Sequence, residues 1–257
     1  MRILIHAGFH KTGTTSVQAA LRRNREALAP WLRLRLPGQT RTLRQAARAW
    51  SAGRDPVDAG LIRYEAAELA RKLDPQDPRP VLISSEDFSG HMPGRKGLTD
   101  YSAAPRILSW IAGAILATQP DAELSFHFST RDPDAWLKSC YTQHLRAIRV
   151  TEDEQDYVRR MTASANFAPV IDGTRAAVAP CPVTATRIEQ TSAAPLEPLF
   201  HTLGLPQACL DTAALDSPVN TAPHPDWVSA VLRLNRSDLG QADWERARAA
   251  LREEDFA

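Results

Sequence analysis

Lysine is scarce in this chain of 257 residues: four, at positions 11, 72, 96 and 138, stand against 27 arginines. Cations here are overwhelmingly guanidinium groups, so a lysine inside a motif stands out. Cysteine is also scarce. Cys140, Cys181 and Cys209 are odd in number and widely spaced, which excludes a disulfide framework and a paired-cysteine metal site and suggests a reducing, cytoplasmic compartment. Long apolar runs are missing too. The longest, ILSWIAGAILA at 107–117, is too short to span a bilayer and predicts a core helix. The opening MRILIHAGF has one arginine, a very short apolar run and no small-residue cleavage site, so no secretory signal is expected. Acid is nearly absent from residues 1–54, which hold Glu26 against eleven Lys/Arg, although the whole chain carries only +1. Two readings of that asymmetry stay open: solvated helix faces, or a basic neighbourhood for an anionic ligand. No membrane span and no nucleic-acid partner are expected.

What is present is an alternation of strands and helices. Residues 2–7 form a short apolar, β-branched run ending at a glycine, which predicts a buried strand. From Thr14 the spacing of Val17, Ala20, Leu21 and Leu28 is helical. WLRLRLPG at 31–38 alternates with period two and predicts a strand ending in a turn. Helices are expected over 40–51 and 58–73, a buried strand over 80–85, a loop over 89–97, a helix over 104–118 and a strand over 123–130. Asp132-Pro133 opens a further helix to about 148, with aspartate as cap and proline at the first position. Helices at 153–163 and 167–177, a strand at 183–189, and helices at 196–203, 225–234 and 242–253 complete the chain, with a proline-rich connection near 217–225. This order predicts an α/β fold of three layers, a mainly parallel central sheet with helices on both faces, and a helical C-terminal region. No internal repeat or linker divides it, so one domain over 1–257 is expected.

Three predicted strand ends carry polar residues, where ligands of parallel sheets bind. The first gives AGFHKTGTTS at 7–16. Gly8 and Gly13 have the spacing of a phosphate-binding loop, but the triphosphatase form places lysine after the second glycine. Here Thr14 follows it, and Lys11 lies inside the loop. The second strand end gives Ser84-Ser85-Glu86-Asp87. The third gives Arg131-Asp132-Pro133, with Ser139 eight residues after the arginine.

Together these motifs resemble the sulfotransferase superfamily that uses 3′-phosphoadenosine 5′-phosphosulfate, and the bacterial or carbohydrate-type members in particular. Its 5′-phosphosulfate loop is similar to Lys11-Thr12-Gly13-Thr14-Thr15-Ser16. Its 3′-phosphate motif is similar to Arg131-Asp132-Pro133 with Ser139 and the neighbouring Tyr141. The resemblance covers the loop, the third strand end with its helix, and the overall order of elements. Residues 150–257 match loosely, and the glycine-rich third motif of the cytosolic small-molecule enzymes is not visible.

The resemblance implies a P-loop-type fold and sulfuryl transfer to a hydroxyl or amine, on a carbohydrate or small molecule, by an in-line mechanism with no metal. Amides from Thr12 to Ser16 and their hydroxyls would cradle the 5′-phosphate. Lys11 would meet the negative charge that develops on the bridging oxygen. A displaced lysine fits this donor, whose sulfonate carries one charge where a γ-phosphate carries more.

Glu86, at the end of a buried strand, is the expected general base, since burial raises a carboxyl pKa toward a useful range. Asp87, His91 and His144 compete for that role, and a capping or ion-pairing carboxylate is the other reading of Glu86. His6 and His10 are read as packing beside the loop. Trp110, Phe128 and Trp136 are read as core residues, with adenine stacking the alternative. Two other functions stay open: an ATP- and Mg-dependent phosphotransferase, with Asp87 or Asp132 as a metal ligand, and a nucleotide-binding module without activity.

Overall fold

A computed structural model of the chain describes residues 1–211 and 223–256. In chain order its elements are β1 (Arg2–His6), α1 (Thr14–Arg23), α2 (Arg25–Leu28), β2 (Arg33–Arg35), α3 (Arg41–Gly53), α4 (Pro56–Arg71), β3 (Val81–Ser84), α5 (Ala104–Thr118), β4 (Glu123–Thr130), α6 (Pro133–Ala147), α7 (Glu154–Met161), α8 (Ala168–Ala177), β5 (Val183–Arg187), α9 (Glu197–Thr202), α10 (Gln207–Asp211), α11 (Pro225–Asn235) and α12 (Gln241–Ala250). Among the described residues, 1–132 and 166–211 form one compact unit, and 133–165 and 223–256 form a second. Most of the proline-rich connection read near 217–225 lies outside the described residues.

The first unit is built on a five-stranded sheet in the order β2-β3-β1-β4-β5, and every pairing is parallel. β1 is central because both of its faces are apolar. Ile3, Leu4 and Ile5 are all fully buried, and successive side chains of a strand point to opposite faces. On one face Leu4 and Leu82 share a cluster with Val17, Ala20 and Leu21 of α1 and with Leu196, Leu199 and Phe200. The burial of Ile3 and Ile5 requires that the opposite face be covered as well. Among the helices of this unit, α5 packs against α4 and α8.

Local chemistry explains where elements end differently from the sequence reading. The helix from Thr14 breaks at Asn24, whose side-chain amide donates to the carbonyl of Ala20 at 2.9 Å and competes with the helical ladder. The strand expected over 31–38 shrinks to Arg33–Arg35. Pro37 has no N–H for a sheet ladder and opens a 3₁₀ turn, Pro37–Thr40, in which the Gln39 side chain accepts from the Leu36 amide at 3.0 Å. The last strand stops at Arg187, where a 3₁₀ turn, Ile188–Gln190, begins.

The second unit is helical. α6 packs against α7 and α11, and α11 against α12. Trp244 Nε1 donates to Asn235 Oδ1 at 2.9 Å, and Asn235 Nδ2 donates to the Val150 carbonyl at 2.7 Å. Arg149 donates to the carbonyls of Asn235, Ser237 and Leu239 around the end of α11, a cation placed where a helix C-terminus favours it.

Candidate functional site

In the first unit the connections from β1 and β4 leave in opposite directions. From β1 the chain runs towards β2 and β3, and from β4 towards β5. A crevice at the carboxyl ends of β1 and β4 is where this topology places a ligand. Because all strands are parallel, the segments after β1, β3 and β4 share that edge. They are the three polar strand ends read from the sequence.

The loop after β1 is held from several sides. The Ala7 amide donates to the His127 carbonyl at 3.0 Å, and Ser89 Oγ donates to the Gly8 carbonyl at 2.6 Å. Thr12 folds back on the loop: its hydroxyl donates to the Phe9 carbonyl at 2.6 Å and accepts from the Phe9 amide at 3.2 Å. Phe9 is the apolar anchor. Its ring stacks on Phe167 at 4.3 Å and Phe128 at 5.1 Å and tilts against Tyr101 at 4.8 Å. Gly8 has φ +52°, and a Cβ there would stand 2.4 Å from Thr14 Cγ2, so the turn needs glycine.

Two loop residues carry the geometry that matters for an anion. Gly13, at φ 84°, precedes α1, and α1 has neither a side-chain cap nor an acidic residue in its first turn. Its first amides, at Thr14, Thr15 and Ser16, point out at the positive end of the helix dipole. Lys11, a non-glycine residue, has φ 66°, a left-handed conformation that costs about 1–2 kcal/mol. Arg131 Nη1 donates to the Lys11 carbonyl at 3.3 Å, and the buried Arg131 Nε has no hydrogen-bond partner among the described residues. The Asp132 amide donates to Glu189 Oε1 at 3.1 Å.

The structure thus gathers Lys11, Thr12, Gly13, Thr14, Thr15, Ser16 and Arg131 around one loop of the first unit. Ser139 and Tyr141 belong to α6, in the second unit. Thr12 and Thr14 are buried, whereas Thr15 is exposed and Ser16 intermediate.

Glu86 is not the last residue of a strand. β3 ends at Ser84, and Glu86 opens a 3₁₀ turn, Glu86–Ser89, capped by the Ser85 side chain, which accepts from the Asp87 amide. Gln18 Nε2 donates to Glu86 Oε2 at 2.9 Å and also reaches Ser84 Oγ at 3.4 Å. Glu86 is partly exposed, and Gln18 is its one side-chain partner among the described residues.

The competing bases are more heavily engaged. Asp87 is buried and accepts from His10 Nε2 at 3.2 Å on Oδ1 and from Arg44 Nε at 2.9 Å on Oδ2. Burial alone would raise its pKa, but the bonds and charges of His10 and Arg44 outweigh it and hold the carboxyl below its ordinary range. His91 bonds to Arg48 and to the Met92 carbonyl. His144, in the second unit, is fully buried with Nδ1 2.7 Å from the Tyr157 hydroxyl.

His6 and His10 do more than pack. His6 is fully buried beneath the loop, with Nδ1 2.9 Å from Ser84 Oγ and Nε2 2.8 Å from Ser129 Oγ, so it links β3, β1 and β4. Burial, with His127 nearby, lowers its pKa to about 3. His10 Nδ1 lies 3.1 Å from the Tyr101 hydroxyl, which also accepts from the His10 amide at 3.1 Å. Tyr101 and Arg44 carry no signal of their own in the sequence. Their partners are 91 and 43 residues away, and no local pattern announces such a pairing. Phe128 stacks in the aromatic cluster and is fully buried, as a core residue is; Trp110 is only half-buried, edge-on against Trp50 at 4.6 Å with the guanidinium groups of Arg63 and Arg106 over its ring. Among the described residues no group of three or more His, Cys, Asp or Glu side chains is placed to hold a metal ion, and no helix is long and apolar enough to cross a membrane.

No family model matches the chain, and no curated protein matches it. Among solved structures it is similar to a sulfotransferase from Alicyclobacillus acidocaldarius, with 16% sequence identity over 95% of this chain and 98% of that one and a TM-score of 0.46.

Proposed function

We propose that this chain is a sulfotransferase that moves a sulfuryl group from 3′-phosphoadenosine 5′-phosphosulfate to a hydroxyl or amine of a carbohydrate or small molecule. The observation that carries the reading is the loop. Lys11 sits in left-handed backbone ahead of Gly13, beside a helix start with no side-chain cap and no acid. Such a helix start suits a bound phosphate. The buried Arg131 Nε, without a partner among the described residues, suits a second one.

When bound, the donor supplies a sulfonate activated by its link to the 5′-phosphate. The amides and hydroxyls of Thr14, Thr15 and Ser16 hold that phosphate. Lys11 stabilises charge on the bridging oxygen as it leaves, an electrostatic role of the kind that dominates group transfer. Arg131 binds the 3′-phosphate. Glu86 takes the acceptor's proton, with Gln18 fixing one carboxylate oxygen and leaving the other to the acceptor. With Lys11, Arg131 and helix amides supplying positive charge, the transfer proceeds in line and needs no metal. The cysteine usage supports a cytoplasmic setting.

The test is a panel of hydroxyl and amine acceptors incubated with ³⁵S-labelled donor and EDTA. Label in an acceptor supports the reading. No label in any acceptor, together with Mg-dependent transfer of phosphate from ATP, would establish the phosphotransferase instead.

A further inference from the structure

The aliphatic centre of the sheet gives way to polar side chains at its carboxyl edge. His6 ends β1 level with Ser84 of β3, and Ser129 lies on β4. His6 and Ser84 are wholly buried, and Ser129 and Gln18 of α1 nearly so. Such groups cost stability unless they are hydrogen-bonded, and here they bond to one another. His6 Nε2 lies 2.8 Å from Ser129 Oγ, and His6 Nδ1 lies 2.9 Å from Ser84 Oγ. Gln18 Nε2 donates both to Ser84 Oγ at 3.4 Å and to Glu86 Oε2 at 2.9 Å. An unbroken buried chain thus runs from the core of the sheet to the Glu86 carboxylate.

The chain has a direction. A serine hydroxyl carries one hydrogen and two lone pairs. Ser84 Oγ accepts from Gln18, so its own hydrogen goes to His6 Nδ1. His6, kept neutral by burial, then carries its hydrogen on Nε2, towards Ser129. The opposite tautomer would donate to Ser84 and free the serine hydrogen to turn to Gln18. An amide turned to meet it would put its oxygen, an acceptor, against the Glu86 carboxylate. Gln18 also belongs to α1, the helix whose first amides face the phosphate site, so the same contact ties Glu86 to the helix that begins at the loop.

We propose that His6 is a positioning residue for the transfer: acting through Ser84, it fixes which end of the Gln18 amide meets Glu86 and so holds that carboxylate turned to the acceptor. This rests on the reading of Glu86 as the base in sulfuryl transfer.

The test uses the acceptor that takes most label in the ³⁵S panel. It compares the wild type, His6→Asn, His6→Gln and Ser84→Ala, each also in a Glu86→Gln background. Asparagine places its amide oxygen where Nδ1 stood and can still take the Ser84 hydrogen. Glutamine reaches the place of Nε2 and keeps only Ser129. The expected result is a loss of about tenfold in kcat for His6→Gln and Ser84→Ala, the effect of one buried hydrogen bond, with most of the rate recovered in His6→Asn. The KM for the donor and the affinity for 3′,5′-bisphosphoadenosine by calorimetry stay unchanged. In the Glu86→Gln background the same substitutions cost nothing further, because residues that act through one group are not additive.

Equal rates in His6→Asn and His6→Gln overturn the proposal, as does a loss that persists in full without Glu86. If a His6 variant fails to fold, Ser84→Ala decides: an unchanged kcat overturns the proposal, and a loss that vanishes in Glu86→Gln upholds it. Full turnover in Glu86→Gln alone overturns the proposal and leaves sulfuryl transfer standing. A wild type that labels no acceptor overturns both.

Discussion

Arg131 reaches from the end of β4 to the main-chain carbonyl of Lys11, with Nη1 donating at 3.3 Å. The contact ties two strand ends together at the residue whose backbone is strained, and it leaves the rest of the guanidinium for other partners. Position and charge in this loop are therefore coupled, and substitutions should separate them.

Arg131→Lys keeps the charge but loses the planar fork that can serve a carbonyl and a phosphate at once. Its affinity for 3′,5′-bisphosphoadenosine should fall by roughly tenfold or more, the loss expected of one charge-assisted bond. Affinity for 5′-AMP should change less. Calorimetry on both nucleotides checks this, and an equal loss for the two would reduce Arg131 to a loop anchor.

Lys11→Ala removes the cation and keeps the left-handed strain, whereas Lys11→Gly removes both. Both variants should lose about 10²–10³ in turnover. The glycine variant should be at least as stable as the alanine variant, because φ 66° no longer costs a Cβ contact. Urea unfolding beside initial rates measures the split. A glycine variant clearly less stable than alanine would show that the strain is not there.

Glu86→Gln keeps the shape and removes the base. Donor affinity should hold while turnover falls by about 10²–10⁴. If full turnover persists, the proton goes elsewhere. If the protein unfolds, the bond from Gln18 to Glu86 is structural.

Acid should destabilise the first unit through two buried histidines. Burial lowers the pKa of His6 to about 3 and of His127 to about 4, against about 6.5 unfolded. Below pH 6.5 the unfolded chain binds protons that the folded chain refuses, so stability present above 6.5 is lost as pH falls towards these values. The slope from each histidine is about half of 1.4 kcal/mol per pH unit at pH 6.5 and approaches about 1.4 near pH 5. Unfolding free energies measured from pH 7.5 to 5 should fall accordingly, with a shallower slope in His6→Gln. A flat profile would mean that His6 is not held neutral.

Much of this arrangement could be read from the sequence because it is local. The Gly8 and Gly13 spacing, the apolar run of β1 and the Asp132-Pro133 helix start each signal themselves within ten residues. What escaped reading depends on distant partners. Lys11 takes left-handed backbone in a turn whose anchor, Phe9, stacks on Phe167 and Phe128. His10 was legible as a loop residue but not as the partner of Asp87 and Tyr101. The shortening of β2 had a local signal in Pro37, outweighed by the alternating pattern around it.

In the proposed reaction this site holds a nucleotide with phosphates at both the 3′ and 5′ positions, without metal. Titration calorimetry in EDTA, with 3′,5′-bisphosphoadenosine and 5′-AMP on the unmodified protein, tests it most directly. The bisphosphate should bind roughly 10- to 100-fold more tightly, as one or two charge-assisted contacts require. Equal affinities, or binding that appears only when Mg²⁺ is restored, would contradict it.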